Sequence, residues 1–289
     1  MTMMNRTIYA FLLSIILWTS SQTVHSRPVT YTQQDSLFIV ECLHSKSSSI
    51  TELAQRFIGR PYVAHTLEVN DKEQLVVNTR ELDCTTFVET VTALWLCQQN
   101  GLTTFNDYLN ELQALRYRQG VLEDYTSRLH YFSDWIDDKQ QMGLVEEVQA
   151  PNPPFSTKQV LNINYMSRHP KAYRALRLHP AFVKTIRQQE QALTGRTYRY
   201  IPKQKVTNTE LLRNAIKDGD IIAITCSKPG LDIAHLGFAV WHEDGLHLLN
   251  ASQLHKQVVE EPMTLGEYLS KHPSHTGIRI IRICLTKTK

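Results

Sequence analysis

The chain has 289 residues, of which 42% are hydrophobic and 20% charged, and this composition is ample for a packed core. Its formal net charge of +3 gives no sign of electrostatic capture of nucleic acid, so no nucleic-acid partner is expected. The length is enough for one large domain or two small ones.

The first 26 residues have the pattern of a secretory signal peptide. A basic start at Arg6 precedes an apolar run over residues 8–18 and a polar stretch over residues 19–26. The apolar run of about eleven residues is shorter than the roughly twenty that a transmembrane helix needs. We therefore expect cleavage after Ser26, export to the periplasm, and a mature protein of residues 27–289 with no stable membrane insertion.

The N-terminal half of the mature chain is predicted to be helical. Residues 34–58 and 84–117 carry helical periodicity, with a short extended stretch around residues 74–79 between them. Apolar side chains from Phe87 onward recur at steps of three and four, so this helix is expected to begin close to Cys84. Gly101 is its predicted end, and Thr104 caps a further helix.

The middle of the chain is predicted to be a helical elaboration. Residues 125–148 are aromatic-rich and predicted to be helical, and three prolines at positions 151, 153 and 154 then break the chain. Residues 156–195 are predicted to be helical again, interrupted by two His-Pro steps. We interpret residues 121–205 as a helical insertion in a single domain of residues 27–289.

The last third changes character and predicts an antiparallel sheet. Short β-rich runs occupy residues 221–224, 235–241, 246–250 and 278–285, separated by turn residues. Residues 243–245 (EDG) are a hairpin signal between the second and third runs. Thr264 and Glu267 form a capping-box pattern that opens one helix in this region. Helices followed by a sheet indicate the α+β class.

Cys84 stands apart from the other cysteines. The five are Cys42, Cys84, Cys97, Cys226 and Cys284, and an odd count in an exported protein leaves at least one thiol unpaired. The last three lie in apolar contexts, where a cysteine is usually a small buried hydrophobic residue. Cys84 instead opens a helix, whose dipole and free N–H groups favour the nucleophilic thiolate. A structural cysteine at a helix start remains the alternative on this pattern alone.

A cysteine nucleophile needs a base, and His235 is the best candidate among the twelve histidines. It begins the strand that turns through residues 243–245 into the strand ending at Asn250. Start and end positions of paired antiparallel strands face each other, so Asn250 is placed to accept a hydrogen bond from the imidazole. His242 and His247 flank a Glu in the hairpin and are five positions apart, which is not the helical spacing of a zinc peptidase. We expect no metal and no cofactor.

Several motifs in the same order resemble the NlpC-type cell-wall cysteine peptidases, and more narrowly their N-acetylmuramoyl-L-alanine amidase-like branch. The motifs are residues 82–88 (LDCTTFV), 218–222 (DGDII), 230–237 (GLDIAHLG) and 249–252 (LNAS), with further similarity at residues 61–62 (PY), 66–68 (TLE) and 128–135 (RLHYFSDW). Together they span most of the mature chain.

The resemblance implies a papain-like α+β fold, with the nucleophile helix packed on an antiparallel sheet. It assigns Cys84 as nucleophile, His235 as base and Asn250 as the residue that orients the base. The implied reaction is hydrolysis of the amide between N-acetylmuramic acid and L-alanine in peptidoglycan fragments (muropeptides), including anhydro-sugar forms. Relatives often have histidine at the third position, and asparagine can orient an imidazole through its carbonyl oxygen but supplies no charge.

A substrate that joins a sugar to an acidic peptide calls for aromatic faces and a few charges in the site. The candidate substrate-binding residues are Tyr62, Glu68, Asp83, Thr85, Arg128, Tyr131, Asp134, Trp135 and Asp232. Each has a structural alternative, and Arg128 is as able to pair with Asp134 as with a peptide carboxylate.

Three other functions stay open on the sequence. The chain could be an endopeptidase that cuts within the stem peptide, because related cell-wall peptidases use similar catalytic residues. It could be a catalytically silent peptidoglycan-binding module, although the intact Cys84 and His235 argue against that. A thioester intermediate would also permit acyl transfer to an amine in place of water.

Overall fold

The structure is a computed structural model that describes residues 28–285. The predicted signal peptide of residues 1–26 lies outside the described residues. The helices are α1 (Gln33–His44), α2 (Ile50–Gln55), α3 (Cys84–Gln99), α4 (Phe105–Arg116), α5 (Phe132–Gln141), α6 (Tyr165–Arg168), α7 (Arg174–Leu178), α8 (Phe182–Leu193), α9 (Glu210–Ala215) and α10 (Leu265–Ser270). Within residues 28–285, no helix has the length and apolar character needed to cross a bilayer.

Most of the strands form one sheet. The strands are β1 (Val29–Thr30), β2 (Leu75–Val76), β3 (Val145–Val148), β4 (Thr157–Val160), β5 (Thr197–Pro202), β6 (Ile221–Cys226), β7 (Ile233–Trp241), β8 (Leu246–Ser252), β9 (Gln257–Glu260) and β10 (His275–Ile283). The sheet has the order β4-β5-β10-β6-β7-β8-β9. Strand β3 pairs with the C-terminal part of β10, residues 280–283. All of its neighbouring strands are antiparallel. Helices and an antiparallel sheet confirm the predicted α+β class.

The central strands are covered on both faces. Every residue of β6 and β8 is buried. Alternate residues of β6 enter two different cores: Ile221 and Ala223 pack with α3, and Ile222 and Ile224 pack with residues of α9 and α10. Since side chains of a strand point alternately to opposite faces, the sheet lies between these two helical layers.

Helix α3 begins at Cys84, as the periodicity predicts. Asp83 is its N-cap: the Asp83 carboxylate accepts a hydrogen bond from the Thr86 N–H at 2.8 Å, and the Thr86 hydroxyl accepts one from the Asp83 N–H at 2.9 Å. The ring of Phe87 meets that of Phe238 on β7 edge-on, with 5.7 Å between the ring centroids. The cap thus fixes where the helix starts, and the aromatic contact presses its first turn onto the sheet.

The predicted hairpin is also confirmed. Strands β7 and β8 pair in a register that places Phe238 opposite Leu249 and Trp241 opposite Leu246. The connection runs through residues 242–245, where the EDG signal lies. The register brings the beginning of β7 alongside the end of β8.

Three helix predictions need correction. Residues 34–58 form two helices, because Ser49 caps α2 by accepting a hydrogen bond from the Glu52 N–H at 3.1 Å. Within residues 125–148, only α5 is an α-helix, and the last four residues are strand β3. Residues 156–195 begin with strand β4 before the helices α6, α7 and α8. Residues 121–205, which are predicted to be a helical insertion, therefore contribute strands to the main sheet as well as helices.

Strand β3 was not predicted from the sequence, because one of its buried residues is charged. Its pattern is VEEV, in which Val145 and Glu147 are buried and Glu146 is exposed. A buried glutamate does not register as apolar, so the period-two alternation typical of a strand is lost. The partner that makes this burial stable lies in β10, far away in the sequence.

Arg279 is that partner, and it is fully buried. Its Nε donates to Glu147 at 2.5 Å, its Nη1 donates to the Ser133 hydroxyl at 2.6 Å, and its guanidinium carbon lies 3.9 Å from the centroid of the Tyr198 ring. The Ser133 N–H in turn donates to Asp232 at 2.7 Å. The network joins the sheet to the first turn of α5.

Replacing Arg279 is expected to destabilise the protein strongly. Arg279→Ala leaves Glu147 buried without its counter-ion, which should lower the free energy of unfolding by about 3–5 kcal/mol. Urea unfolding followed by circular dichroism measures the loss. Arg174→Ala is the control, because the Arg174 and Asp71 side chains are 40% and 89% exposed, and should cost less than about 1 kcal/mol. Equal, small losses in both variants would contradict this account of the network.

Candidate active site

Cys84 and His235 line the same cavity. Its volume is about 250 Å³, and it lies between the N-terminus of α3, the start of β7 and the beginning of α5. Cys84 is the first residue of α3 and is partly exposed. An amide at the first helical position has no partner within the helix, so the Cys84 N–H is available to an oxygen near the sulfur.

The predicted contact between His235 and Asn250 is confirmed. The distance between His235 Nε2 and Asn250 Oδ1 is 2.7 Å. Asn250 is fully buried, and its Nδ2 donates to Leu248 O at 3.2 Å, Val259 O at 3.3 Å and Glu261 Oε1 at 3.1 Å. Because all three neighbours of Nδ2 are acceptors, the amide is held with its carbonyl oxygen toward the imidazole.

This orientation also fixes the tautomer of His235. Asn250 Oδ1 can only accept, so His235 Nε2 must carry the proton that it donates. A neutral His235 then has an unprotonated Nδ1, which is the nitrogen able to take a proton from another group. The pair therefore presents a base at the edge of the cavity that Cys84 lines.

Gly237 allows the close approach of these strands. A Cβ added at this position would lie 2.7 Å from Leu249 O and 2.9 Å from the Asn250 Cβ, closer than real Cβ atoms come. Packing between the strands therefore explains why the 230–237 motif ends in glycine. It gives Asn250 room beside His235.

The pKa values of the two groups differ from those of free side chains. Burial raises the pKa of the Cys84 thiol to about 12, and the Asp83 carboxylate raises it as well, while hydrogen bonds from Leu236 and Thr85 lower it by less. The pKa shift is opposite to the one predicted for a helix N-terminus, because desolvation of the thiolate outweighs the helix end. Burial also lowers the pKa of His235, against opposing effects of Asn250 and Glu261. Both pKa shifts favour the neutral forms of the thiol and the imidazole.

These directions predict the pH dependence of any reaction that uses His235 as a base. The pKa of His235 in the folded protein lies below 6.5, so protonation removes the base only as the pH falls below that value. We expect kcat/KM to be level from about pH 7 to pH 9 and to fall in acid with a midpoint below about 6.5. A pH series of kcat/KM with a constant-ionic-strength buffer measures it. An acid limb centred above pH 7 would contradict the assignment.

Four of the nine candidate substrate-binding residues line this cavity: Thr85, Tyr131, Trp135 and Asp232. Tyr131 is held by α6 and α8, since its hydroxyl donates to Glu190 of α8 at 2.7 Å and accepts from the Met166 N–H of α6 at 2.9 Å. Asp232 accepts a hydrogen bond from the Ser133 N–H at 2.7 Å. Residues between positions 129 and 173 therefore build one wall of the cavity.

The other five candidates do not line it. Tyr62 lies beside Cys84: burial raises the pKa of Tyr62 to about 12, with smaller contributions from Cys84 and Asp83. Asp83 caps α3. Arg128 is buried and pairs with Glu68 at 2.9 Å and with Glu73 at 2.7 Å.

Asp134 pairs with Arg118, so the suggested pairing of Arg128 with Asp134 is wrong. Arg128 and Glu68 instead border a second cavity of about 390 Å³, whose wall includes residues of α7 and α8. Their ion pairs give both residues a structural role.

Other residues of the site were not predicted from the sequence. The cavity wall also contains Leu129, His130, Phe132, Met166, Tyr173, Leu231, Ile233, Ala234 and Leu236. The 128–135 motif contained the first three of these. Met166 and Tyr173 lie outside every motif, and no local pattern in the sequence distinguishes them from core residues.

Among residues 28–285, the other cysteines and the acidic and histidine side chains form neither a disulfide nor a metal site. All five cysteines are free thiols; Cys42, Cys97 and Cys226 are buried as small hydrophobic residues, whereas Cys284 is partly exposed. In the described part of the chain, no group of three or more His, Cys, Asp or Glu side chains is arranged to hold a metal ion.

The fold and the site define an α+β protein in which a helix N-terminal cysteine shares a cavity with a histidine held by a buried asparagine. A model of the AmiA-like, or N-acetylmuramoyl-L-alanine amidase-like, family matches residues 52–278. The chain belongs to this family, which confirms the resemblance seen in its motifs.

Solved structures of bacterial proteins are similar to the chain over most of their length. An N-acetylmuramoyl-L-alanine amidase from Bacteroides uniformis is 37% identical, with a TM-score of 0.75 over 82% of this chain and 100% of that one. A second crystal structure with the same name and source is 38% identical, with a TM-score of 0.74 over 85% and 99%. A Bacteroides fragilis protein described as a candidate xylanase is 43% identical, with a TM-score of 0.74 over 80% and 99%. No functionally curated protein matches the chain.

Proposed function

We propose that this protein is a cysteine amidase that hydrolyses the bond between N-acetylmuramic acid and L-alanine in peptidoglycan fragments, including anhydro-sugar forms. Its family and the amidases of Bacteroides uniformis support the reaction. The observation that carries the mechanism is the hydrogen bond of 2.7 Å between His235 and Asn250, which leaves Nδ1 as the base in the cavity of Cys84.

The first half of the reaction forms a thioester. His235 Nδ1 takes the thiol proton as the Cys84 sulfur attacks the carbonyl carbon of the lactyl group. The Cys84 N–H at the N-terminus of α3 donates to the oxyanion that develops on the carbonyl oxygen. The C–N bond then breaks, and the imidazolium of His235 gives its proton to the departing nitrogen of L-alanine.

The second half releases the sugar acid. His235 takes a proton from water, whose oxygen attacks the thioester carbon, and the C–S bond breaks. The thiolate leaves and recovers its proton from His235. One water is consumed, and the products are the free muramic acid carboxylate and an intact stem peptide with a free amino terminus.

The cavity has the surfaces that such a substrate needs. Phe132 and Trp135 stack on each other with 4.8 Å between their ring centroids, and both border the cavity. Aromatic and apolar walls with a few fixed polar groups are typical of sites that bind sugars and peptides. These side chains, with Thr85, Tyr131 and Asp232, are the proposed substrate-binding residues.

The papain-like, NlpC-type architecture and the location of the protein are part of the same proposal. A nucleophile on a helix that packs against a sheet carrying the base and its orienting residue is the arrangement implied by the motifs. Export through the N-terminal signal segment to the periplasm would bring the enzyme to cell-wall fragments.

Glycan cleavage is not favoured by the site. Most glycosidases use two carboxyl groups that face one another across the scissile bond. Of the described residues that line the cavity, only Asp232 has a carboxylate, so the lining does not supply such a pair. The xylanase description of the Bacteroides fragilis relative therefore has no counterpart in this geometry.

Product analysis tests the proposed reaction. Purified disaccharide tetrapeptide, with and without an anhydro-sugar, is incubated with the protein, and the products are identified by mass spectrometry. We expect free disaccharide and intact tetrapeptide. Shortened peptide with the sugar still attached would overturn the amidase proposal in favour of an endopeptidase, and binding without turnover would favour a silent module.

A further inference from the structure

A buried carboxylate lies directly behind Asn250. Glu261 follows β9, is 1% exposed, and accepts a hydrogen bond from Asn250 Nδ2 at 3.1 Å through Oε1. Its other oxygen, Oε2, accepts one from His255 Nε2 at 3.0 Å. The Glu261 N–H donates to Leu248 O at 2.9 Å, which ties the residue to β8. A chain of hydrogen bonds thus runs from His235 to a histidine at the surface.

In the proposed reaction, a negative charge near His235 stabilises the positive charge that the imidazole acquires. His235 becomes an imidazolium when it takes the thiol proton, and Asn250 contributes only a dipole. Glu261 lies one residue beyond Asn250 in this chain of hydrogen bonds. In a buried site its carboxylate still stabilises that cation, because dielectric screening is weak there. Burial lowers the pKa of His235, and the hydrogen bond with Asn250 and the negative charge of Glu261 act against this shift.

Glu261 is also the nearest acceptor of the Asn250 amide. The carbonyl oxygens of Leu248 and Val259 are 3.2 Å and 3.3 Å from Nδ2, against 3.1 Å for the carboxylate. Hydrogen bonds to an ionised acceptor are roughly twice as strong as those to a neutral one. Glu261 therefore contributes most to holding the Asn250 carbonyl toward His235.

We propose that Glu261 is a positioning residue that fixes the Asn250 amide and supplies, through it, the negative charge that stabilises the imidazolium of His235. His255 holds the second oxygen of Glu261 and closes the network at the surface. The inference rests on the proposed function, because it assigns Glu261 a part in the same proton transfer.

A reciprocal exchange of charge tests the proposal. Glu261→Gln removes the charge and keeps the shape. We expect kcat to fall about 10-fold to 100-fold with little change in KM, as outer partners of active groups typically show. The acid limb of the pH profile should move to lower pH, because the imidazolium is less stabilised. Asp83, His272 and His275 also face His235 and are unchanged in this variant.

Two further variants complete the exchange. Asn250→Asp alone places two carboxylates together, so one of them takes up a proton or the pair repels, and activity should fall. In the double variant, which combines Asn250→Asp with Glu261→Gln, the new carboxylate at position 250 can accept from both His235 and the new amide at position 261. This variant should recover to within about 10-fold of the wild-type kcat, since one carboxylate and one amide are present again. It keeps the test valid if the single variants do not fold.

Glu89→Gln is the matched control. Glu89 is 2% exposed and pairs with Arg116 at 2.7 Å, outside the cavity of Cys84. This variant should lose stability but keep the position of the acid limb. A general effect of removing a buried carboxylate would move the two profiles alike.

The outcomes separate this inference from the proposed function. If Glu261→Gln keeps the wild-type kcat and pH profile, or if the double variant is worse than both single variants, Glu261 has only a packing role. If Cys84→Ala turns over muropeptide in the same assay, the proposed function itself fails. Loss of activity in Cys84→Ala with a wild-type profile in Glu261→Gln overturns the inference alone.

Discussion

Cys84→Ala is expected to reduce kcat by roughly 10⁴-fold or more, to the level supported by binding and the oxyanion donors alone. The substitution removes the atom that forms the thioester. It leaves the Asp83 cap and the contact between Phe87 and Phe238 in place, so α3 should keep its position. Substrate affinity, measured by isothermal titration with intact muropeptide, should change by less than about 10-fold.

Cys284→Ala is the control for this experiment. Cys284 is the other partly exposed thiol, and it does not border the cavity of Cys84. Its loss should leave kcat within about two-fold of wild type. Comparable activity of the Cys84→Ala and Cys284→Ala variants would show that Cys84 is not the nucleophile.

His235→Ala is expected to cost nearly as much as the loss of Cys84. The thiol has a pKa of about 12 in the folded protein, so little thiolate exists at neutral pH without a base that takes its proton. We expect a loss of roughly 10³-fold to 10⁵-fold in kcat, and no further loss in the variant that lacks both side chains, because the two act as one unit. Single-turnover kinetics with purified muropeptide measures both variants.

His242→Ala is the matched control for His235. It lies just beyond the opposite end of β7, where its ring contacts Glu260, and it should retain full activity. Additive losses from Cys84→Ala and His235→Ala would indicate independent contributions instead of one proton-transfer pair.

The parts of the site that could be predicted are those set by local rules. The start of α3 follows from the apolar periodicity that begins at Phe87, within a few residues of Cys84. The proximity of His235 and Asn250 follows from one turn signal and the geometry of an antiparallel pair. Each feature depends on a short segment, so the sequence alone was sufficient.

Features that depend on distant partners could not be predicted in the same way. Arg128 pairs with two glutamates that lie about 55 to 60 residues earlier in the chain, whereas the partners predicted from the sequence were Asp134 or a peptide carboxylate. Glu261 is the second of two adjacent glutamates and directly follows a four-residue strand, and no pattern marks it as the buried one. Ion pairs across a fold leave no local signal.

The pKa of Cys84 is another property that could not be predicted from the sequence. The position at a helix N-terminus is visible in the sequence and favours the thiolate. The degree of burial is a property of the assembled cavity, and here it raises the pKa to about 12. Which effect wins depends on how completely water is excluded, which only the packed structure determines.

The most direct test of the central claim is the mass of the group that Cys84 carries during turnover. A reaction with disaccharide tetrapeptide is quenched in acid within its first turnover and digested, and the peptide that contains Cys84 is analysed by mass spectrometry. The proposed mechanism predicts a thioester of the muramic acid moiety, with the disaccharide and without any amino acid. An adduct that contains stem-peptide residues, or an adduct on another side chain, would contradict it.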